Sequence, residues 1–223
     1  MTKPIITIDG PAGSGKSTLC RLLARALGYE CLDTGAMYRA MAWHVREQGS
    51  DPLPAEALPA MIGQVEIEIQ GSGENQRVLV NGRDVSREIR RPEITQLASD
   101  LSARAEVRQV LTEQQRRLGT RGGLVAEGRD MGTVVFPQAE IKFYLQADLR
   151  VRAARRWREL VQAGHEVILD EVEEDMAHRD RQDSQRALAP LRPAAEAEII
   201  DTSRLTIEAV LARMLDRIRP GKK

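Results

Sequence analysis

The stretch Gly10-Pro11-Ala12-Gly13-Ser14-Gly15-Lys16-Ser17-Thr18 has the G-x-x-x-x-G-K-[ST] spacing of a triphosphate cradle. Its residue types define the chemistry. Gly10, Gly13 and Gly15 let the backbone curl, so that successive N–H groups converge on an anion. Lys16 is placed to reach the β- and γ-phosphates of a nucleotide, and the Ser17 hydroxyl to hold Mg²⁺. The flanks fit. Pro4 to Asp9 is a short apolar run that reads as a buried strand. Leu19 to Leu27 reads as a helix with leucines on one face, and its positive end adds to the field at the anion.

Two further stretches carry charge where chemistry needs it. Glu127-Gly128-Arg129-Asp130-Met131-Gly132 follows an apolar strand, Leu124 to Glu127, so it is expected beside the phosphate loop. Gly128 allows close backbone approach, and Glu127 suits a carboxylate that reaches Mg²⁺ through the ion's bound water. In Arg179-Asp180-Arg181-Gln182-Asp183-Ser184-Gln185-Arg186, helical spacing puts Arg179, Asp183 and Arg186 on one face. The apolar segment Ala187 to Leu191 can dock that face onto a core. Arg152, Arg155 and Arg156 fit equally a set of cations for the nucleotide and an exposed basic helix face.

A phosphate loop joined by arginines from distant segments points to phosphoryl transfer, in which positioning and cations supply most of the catalysis. Guanidinium forks grip two phosphate oxygens at once. His44, His165 and His178 sit in no catalytic motif. A phosphate acceptor needs no general base, because its second pKa of about 6 leaves it largely ionised at neutral pH.

The elements that must position these residues follow from the pattern. After the first helix, Tyr29 to Leu32 is a short strand, and Ala36 to Val45 a helix entered through Asp33-Thr34-Gly35. Strand–helix–strand–helix opens a parallel α/β sheet, whose strand tips carry ligand residues. Gly49 to Pro59 reads as a loop with a short helix. Val65 to Gln70 alternates strictly, Gly71 to Asn75 turns the chain, Gln76 to Val80 runs back, and Asn81-Gly82 predicts a hairpin to Arg83-Asp84-Val85. This antiparallel meander interrupts the parallel pattern as an insert. Helices return from Arg91 to Leu118, broken near Ala105-Glu106. Ile141 to Leu145 and Glu198 to Asp201 are the last strands. Arg150 to Arg192 is charged and mostly helical, and Leu205 to Arg219 closes the chain as an amphipathic helix.

The chain has 223 residues, enough for one sizeable core with insertions. It carries 33 basic and 33 acidic residues, so no broad positive footprint for nucleic acid exists. Cys20 and Cys31 lack metal-ligand spacing and read as reduced packing residues. No signal peptide or membrane-length apolar run is visible, which predicts a soluble cytoplasmic enzyme.

With these four stretches the sequence resembles the bacterial cytidylate kinases, of the nucleoside monophosphate kinase group. The resemblance rests on Ile8 to Thr18, Asp33-Thr34-Gly35-Ala36-Met37-Tyr38-Arg39, Glu127 to Pro137, and Arg179-Asp180 through Asp183-Ser184 to Arg186 and Ala189-Pro190-Leu191. It implies an α/β P-loop kinase fold with a central parallel sheet flanked by helices. The core would comprise residues 1–35, 92–150 and 190–223. The monophosphate-binding part would be 36–91, with the meander near 63–86, and a helical lid would span 151–189. The implied reaction takes ATP and Mg²⁺ and phosphorylates CMP or dCMP, in a monomer. Residues 10–18 and Arg155 would bind ATP. Arg39, Arg129 and Arg186 would grip the acceptor phosphate and the transferring group. Ser99, Arg108 and Asp130 would read cytosine; Asp183, with Arg179, the ribose; Thr34 and Gly128 would line the acceptor site. A kinase for another small acceptor (UMP, another nucleotide, shikimate) is the nearest alternative. A nucleotide-dependent switch is the other, although the N-K-x-D guanine signature is absent.

Overall fold

A computed structural model describes residues 3–49, 57–63, 65–71 and 76–218. Contacts divide the chain into two units: Met1–Cys31 with Gly123–Lys223, and Leu32–Gly122.

The first unit is built on the apolar strand β1 (Ile5–Asp9), in which Ile6 and Ile8 are fully buried. The phosphate loop leads from it into α1 (Lys16–Leu27) and on to β2 (Glu30–Asp33). The later strands are β6 (Leu124–Gly128), β7 (Ile141–Gln146) and β8 (Glu198–Asp201), and the sheet order is β2-β6-β1-β7-β8. β1 pairs in parallel with both β6 and β7, aligning Asp9 with Gly128 on one side and with Tyr144 on the other. The phosphate loop therefore leaves the carboxyl edge at the centre of the sheet, where open α/β sheets bind ligands. α1 presents Leu19, Cys20, Leu23 and Ala24 to a core shared with Ile8, Val125, Phe143 and Leu145. α8 (Ile207–Ile218) covers α1 with Val210 and Met214. Cys20 and Cys31 pack at this core, and the Cys20 thiol donates to the Val125 carbonyl at 3.2 Å.

The charged region forms a helical hairpin, α6 (Leu149–Gln162) and α7 (Leu169–Gln185). It has its own small core of Ala153, Val172 and Met176, and Trp157 donates its indole N–H to the Val167 carbonyl at 3.0 Å. Ala12 of the phosphate loop packs against that core, so the hairpin is anchored to the loop.

The second unit contains α2 (Thr34–Glu47), α3 (Leu58–Ile62), α4 (Pro92–Leu101) and α5 (Ala105–Gly119). Its antiparallel sheet is β3 (Ile67–Gln70), β4 (Arg77–Val80) and β5 (Arg83–Asp84). The expected meander is present. Asn81 and Gly82 both take positive φ, 48° and 79°, as a two-residue type I′ hairpin requires. The Gln114 side chain of α5 donates to the Val65 carbonyl at 2.7 Å and accepts from the Ile67 N–H at 3.3 Å, giving the β3 edge a partner. The expected turn at residues 72–75 and the loop at 50–56 lie outside the described residues, as does Arg219. One boundary differs from expectation. Residues 92–122 group with 32–91, because α4 packs along α2 and α5 meets α2 and α3.

Candidate active site

Gly10 (φ 148°), Gly13 (φ 73°) and Gly15 (φ 94°) give the phosphate loop its curl. Gly10 has no substitute: a Cβ there would stand 2.1 Å from the Leu145 carbonyl oxygen. No side chain caps α1, so its first amides remain available to an anion. The Ser14 hydroxyl donates to the Pro11 carbonyl at 3.0 Å, and Lys16 Nζ to the same carbonyl at 2.7 Å. Lys16 is only 5% exposed. Burial, and then the like charge of Arg129, lower its pKa to about 7 against the pull of Glu127, Asp183 and Asp9. Lys16 is thus a cation without full compensation, set to recover its charge against a phosphate.

The Ser17 hydroxyl donates to Glu127 Oε1 at 2.5 Å. Glu127 is buried at the tip of β6. This pairs a loop hydroxyl with a buried carboxylate, hard oxygen donors of the kind Mg²⁺ takes. Ser17 and Glu127 therefore fit the ion that the sequence predicts there.

Four further predicted residues converge in the same unit. Arg129 Nε donates to Asp183 Oδ2 at 2.8 Å. Arg186 stands 3.7 Å from both Asp130 Oδ1 and Asp183 Oδ1, and its Nε donates to the Ala189 carbonyl at 2.7 Å. The segment after α7 does not dock through its apolar side chains as expected, since Ala187 and Leu188 are exposed; its backbone turns back on the face instead, with Leu191 N–H donating to the Asp183 carbonyl at 2.8 Å. Burial alone would raise the Asp183 pKa, but Arg129, with Arg186 and Arg179, outweighs it and holds the carboxyl below its usual range. Burial likewise opposes the Arg129 charge, and Asp183 more than offsets it. Asp130 is 2% exposed, a nearly dry acid flanked by an arginine. Gly128 lies level with Asp9 in the strand pairing.

The hairpin arginines divide by role. Arg152 is buried and donates to the carbonyls of Ala147 (2.8 Å) and Ala12 (3.1 Å) and to Asp180 (2.7 Å). Arg155 donates to the Gly13 carbonyl at 3.3 Å and to both oxygens of Thr202. Thr202 in turn donates to the Ser14 carbonyl at 3.2 Å. Arg152, Arg155 and Thr202 thus hold three carbonyls of the loop. Arg156 pairs with Glu159 on its own helix.

In the Leu32–Gly122 unit, Asp33 caps α2 by accepting the Ala36 N–H at 2.8 Å and pairs with Arg39 at 3.4 Å. Thr34 is buried beside it. At the α4–α5 corner, the Ser102 hydroxyl donates to the Ser99 carbonyl at 2.7 Å, and Arg108 donates to the Ser102 carbonyl at 3.3 Å. The Arg108 guanidinium lies 5.9 Å from the Tyr38 ring centroid. Ser99 and Arg108 are therefore joined through Ser102. His44 is bonded to the Met61 carbonyl at 3.1 Å, and His165 and His178 are exposed on the hairpin.

Sequence reasoning missed Asp9, Thr202 and Asp180, all of which contact site residues or their backbone. An acid directly before the phosphate loop was the signal for Asp9; Asp180 lies within the Arg179–Arg186 stretch but was given no role, and Thr202 had no signal.

The family model described as cytidylate kinase matches residues 6–220. A cytidylate kinase of Geobacter sp. (strain M21) is 49% identical, covering 98% of this chain and 96% of that protein. A bifunctional pantoate ligase/cytidylate kinase of Synechococcus elongatus is 48% identical over 96% of this chain, and the chain spans 41% of that relative's length. A solved structure of an uncharacterized protein from Eubacterium ventriosum shares the fold at TM-score 0.53 and 10% identity, covering 97% of this chain and 98% of that one. A family match along nearly the whole chain, with a cytidylate kinase 49% identical over 98% of it, settles membership: this chain belongs to the cytidylate kinase family.

Proposed function

We infer that this chain is a cytidylate kinase, transferring the γ-phosphoryl group of ATP to CMP or dCMP with Mg²⁺ bound. The observation that carries the reading is the ion-paired set Arg129, Asp130, Asp183 and Arg186, its two acids buried, in the same unit as Lys16 and Ser17. Residues 10–18 cradle the donor phosphates. Lys16 stabilises charge on the transferring group; gripping the acceptor phosphate is the role assigned to Arg129 and Arg186, and, on the resemblance, to Arg39. Ser17, and Glu127 through water, hold the metal ion, which when bound neutralises charge on the donor phosphates. No general base is assigned, since the acceptor is itself ionised. Arg155 contributes to the ATP side as a support of the Gly13 carbonyl.

Asp130, Ser99 and Arg108 read the base, and Asp183 with Arg179 the ribose. A dry carboxylate favours the amino donor of cytosine and disfavours the carbonyl that uracil offers in its place. Thr34 and Gly128 line the acceptor site. Residues 151–189 act as the lid over the donor. The protein works as a cytoplasmic monomer on small nucleotides; among the described residues no helix is long and apolar enough to cross a membrane.

An acceptor panel with ATP tests this directly. CMP and dCMP should far outpace UMP, AMP and shikimate, and chelating Mg²⁺ should abolish turnover. A best rate with AMP or shikimate would overturn the base assignment. Asp130→Asn is expected to shrink the CMP-to-UMP ratio of kcat/KM about tenfold, because an amide can donate as well as accept. An unchanged ratio would remove Asp130 as the base reader.

A further inference from the structure

Asp9, the last residue of β1, has no part in the chemistry above, yet it is 3% exposed and fully engaged. Its Oδ1 accepts the Met131 N–H at 2.8 Å and its Oδ2 the Gly132 N–H at 2.8 Å. Those consecutive amides open the π-helical turn Met131–Val135, directly after Arg129-Asp130. The turn is closed at its start by the Asp130 carbonyl, which accepts the Val134 and Val135 amides at 2.9 and 3.1 Å. The approach is tight. A Cβ on Gly132 would stand 2.9 Å from Thr7 Oγ1 and 3.4 Å from Asp9 Oδ2.

A carboxylate is a costly residue to bury here. Burial pushes its pKa up to about 6, even though both amides pull it down. What it supplies is two acceptors, side by side, for two donors that strand pairing does not reach. Parallel pairing aligns β1 with β6 only as far as Gly128. Beyond that point the Asp9 side chain ties the Met131 and Gly132 amides to the end of β1. The next residue after Asp9 is Gly10, where the phosphate loop begins.

We propose that Asp9 is a positioning residue that fixes Arg129 and Asp130 to the strand launching the phosphate loop. It thereby sets the acceptor-side groups in register with Lys16. The proposal rests on the assignment of Arg129 and Asp130 to the acceptor nucleotide. A carboxylate needed only for stability would behave differently from one that sets this register, and the two roles separate in kinetics.

The test is steady-state kinetics of the full chain for wild type, Asp9→Asn, Gly132→Ala and Arg129→Ala, with CMP, UMP and ATP varied in turn and thermal unfolding alongside. Asparagine keeps one acceptor and turns an N–H donor toward the other amide; alanine at 132 forces the turn off the carboxylate. Both variants are expected to lose at least about tenfold in kcat/KM for CMP, the scale of a sub-ångström misplacement. Both should also narrow the CMP-to-UMP ratio, with KM for ATP changed less than about twofold. Asp9→Asn should keep its Tm at pH 7 within about 4 °C, since it removes a charge that burial disfavours. CMP kinetics within about twofold of wild type in both variants would overturn the proposal. So would a parallel loss on the ATP and CMP sides that follows the loss of folded protein. If Arg129→Ala leaves CMP kinetics intact, the acceptor assignment fails and the proposal falls with it. If Arg129→Ala is crippled and Asp9→Asn is not, the positioning role alone is overturned.

Discussion

Lys16→Ala is expected to lower kcat about 10³-fold while leaving the fold intact, the scale for removing one donor aimed at developing charge. The two halves of this expectation have one cause. In the folded protein Nζ is buried, rests on the Pro11 carbonyl at 2.7 Å and has Arg129 as a cationic neighbour. Its lowered pKa means that the folded chain gains little from the lysine's charge. The charge is used when phosphate oxygens arrive, and most of all when the transferring group carries its charge between donor and acceptor. Lys16→Met keeps more of the buried volume and should match the alanine variant in kcat with a smaller change in Tm. Single-turnover kinetics with CMP and a saturating donor measure the chemical step, and calorimetric unfolding measures the fold. A kcat within tenfold of wild type would show that Lys16 is a structural cap for Pro11 and not the cation of the transfer.

How far such a site is legible in sequence depends on how local its geometry is. The phosphate loop is legible because its spacing, glycines and flanking elements lie within one short segment. The meander is legible because alternation marks the Val65 to Gln70 strand and Asn81-Gly82 tolerates positive φ. The arginine face is visible as helical spacing, but the expected docking of Ala187–Leu191 onto a core is not what holds it: Leu188 is 45% exposed, and the segment turns back on α7 through backbone groups, Arg186 bonding to Ala189 and Leu191 to Asp183. What stayed hidden depends on backbone partners far away in sequence. Nothing in the spacing of Arg152, Arg155 and Arg156 tells which of them meet loop carbonyls. Those choices follow from how α6 sits against Ala12 and Gly13. Asp9 binds two amides, and amides have no residue type to recognise. The grouping of α4 and α5 with α2 is likewise a matter of packing, since their apolar faces would serve a central sheet equally well.

Arg129→Ala is expected to cost both turnover and stability, and the two losses should respond differently to a second change. Turnover should fall about 10³-fold in kcat/KM for CMP, because a guanidinium on the acceptor phosphate is lost. Stability should fall by about 3 kcal/mol, at the lower end for a broken buried pair, since the Arg129 side chain keeps 22% of its exposure. The loss arises from the partner left behind. Asp183 stays in place with Arg186 at 3.7 Å, beyond hydrogen-bond reach, and without its 2.8 Å bond to Arg129. Arg129→Ala with Asp183→Asn should therefore regain a good part of the lost Tm, as the stranded charge is removed, while kcat/KM for CMP does not recover. Acid titration gives an independent check. Asp183 has a depressed pKa in the fold, so its contribution is present above the ordinary carboxylate range and is lost as pH falls through its folded pKa. Without Arg129 that depression shrinks, and the variant should lose less stability than wild type on acidification from pH 7. If the double variant were no more stable than Arg129→Ala, the pair would not be the source of the loss. If activity returned with stability, Arg129 would serve the fold and not the acceptor phosphate.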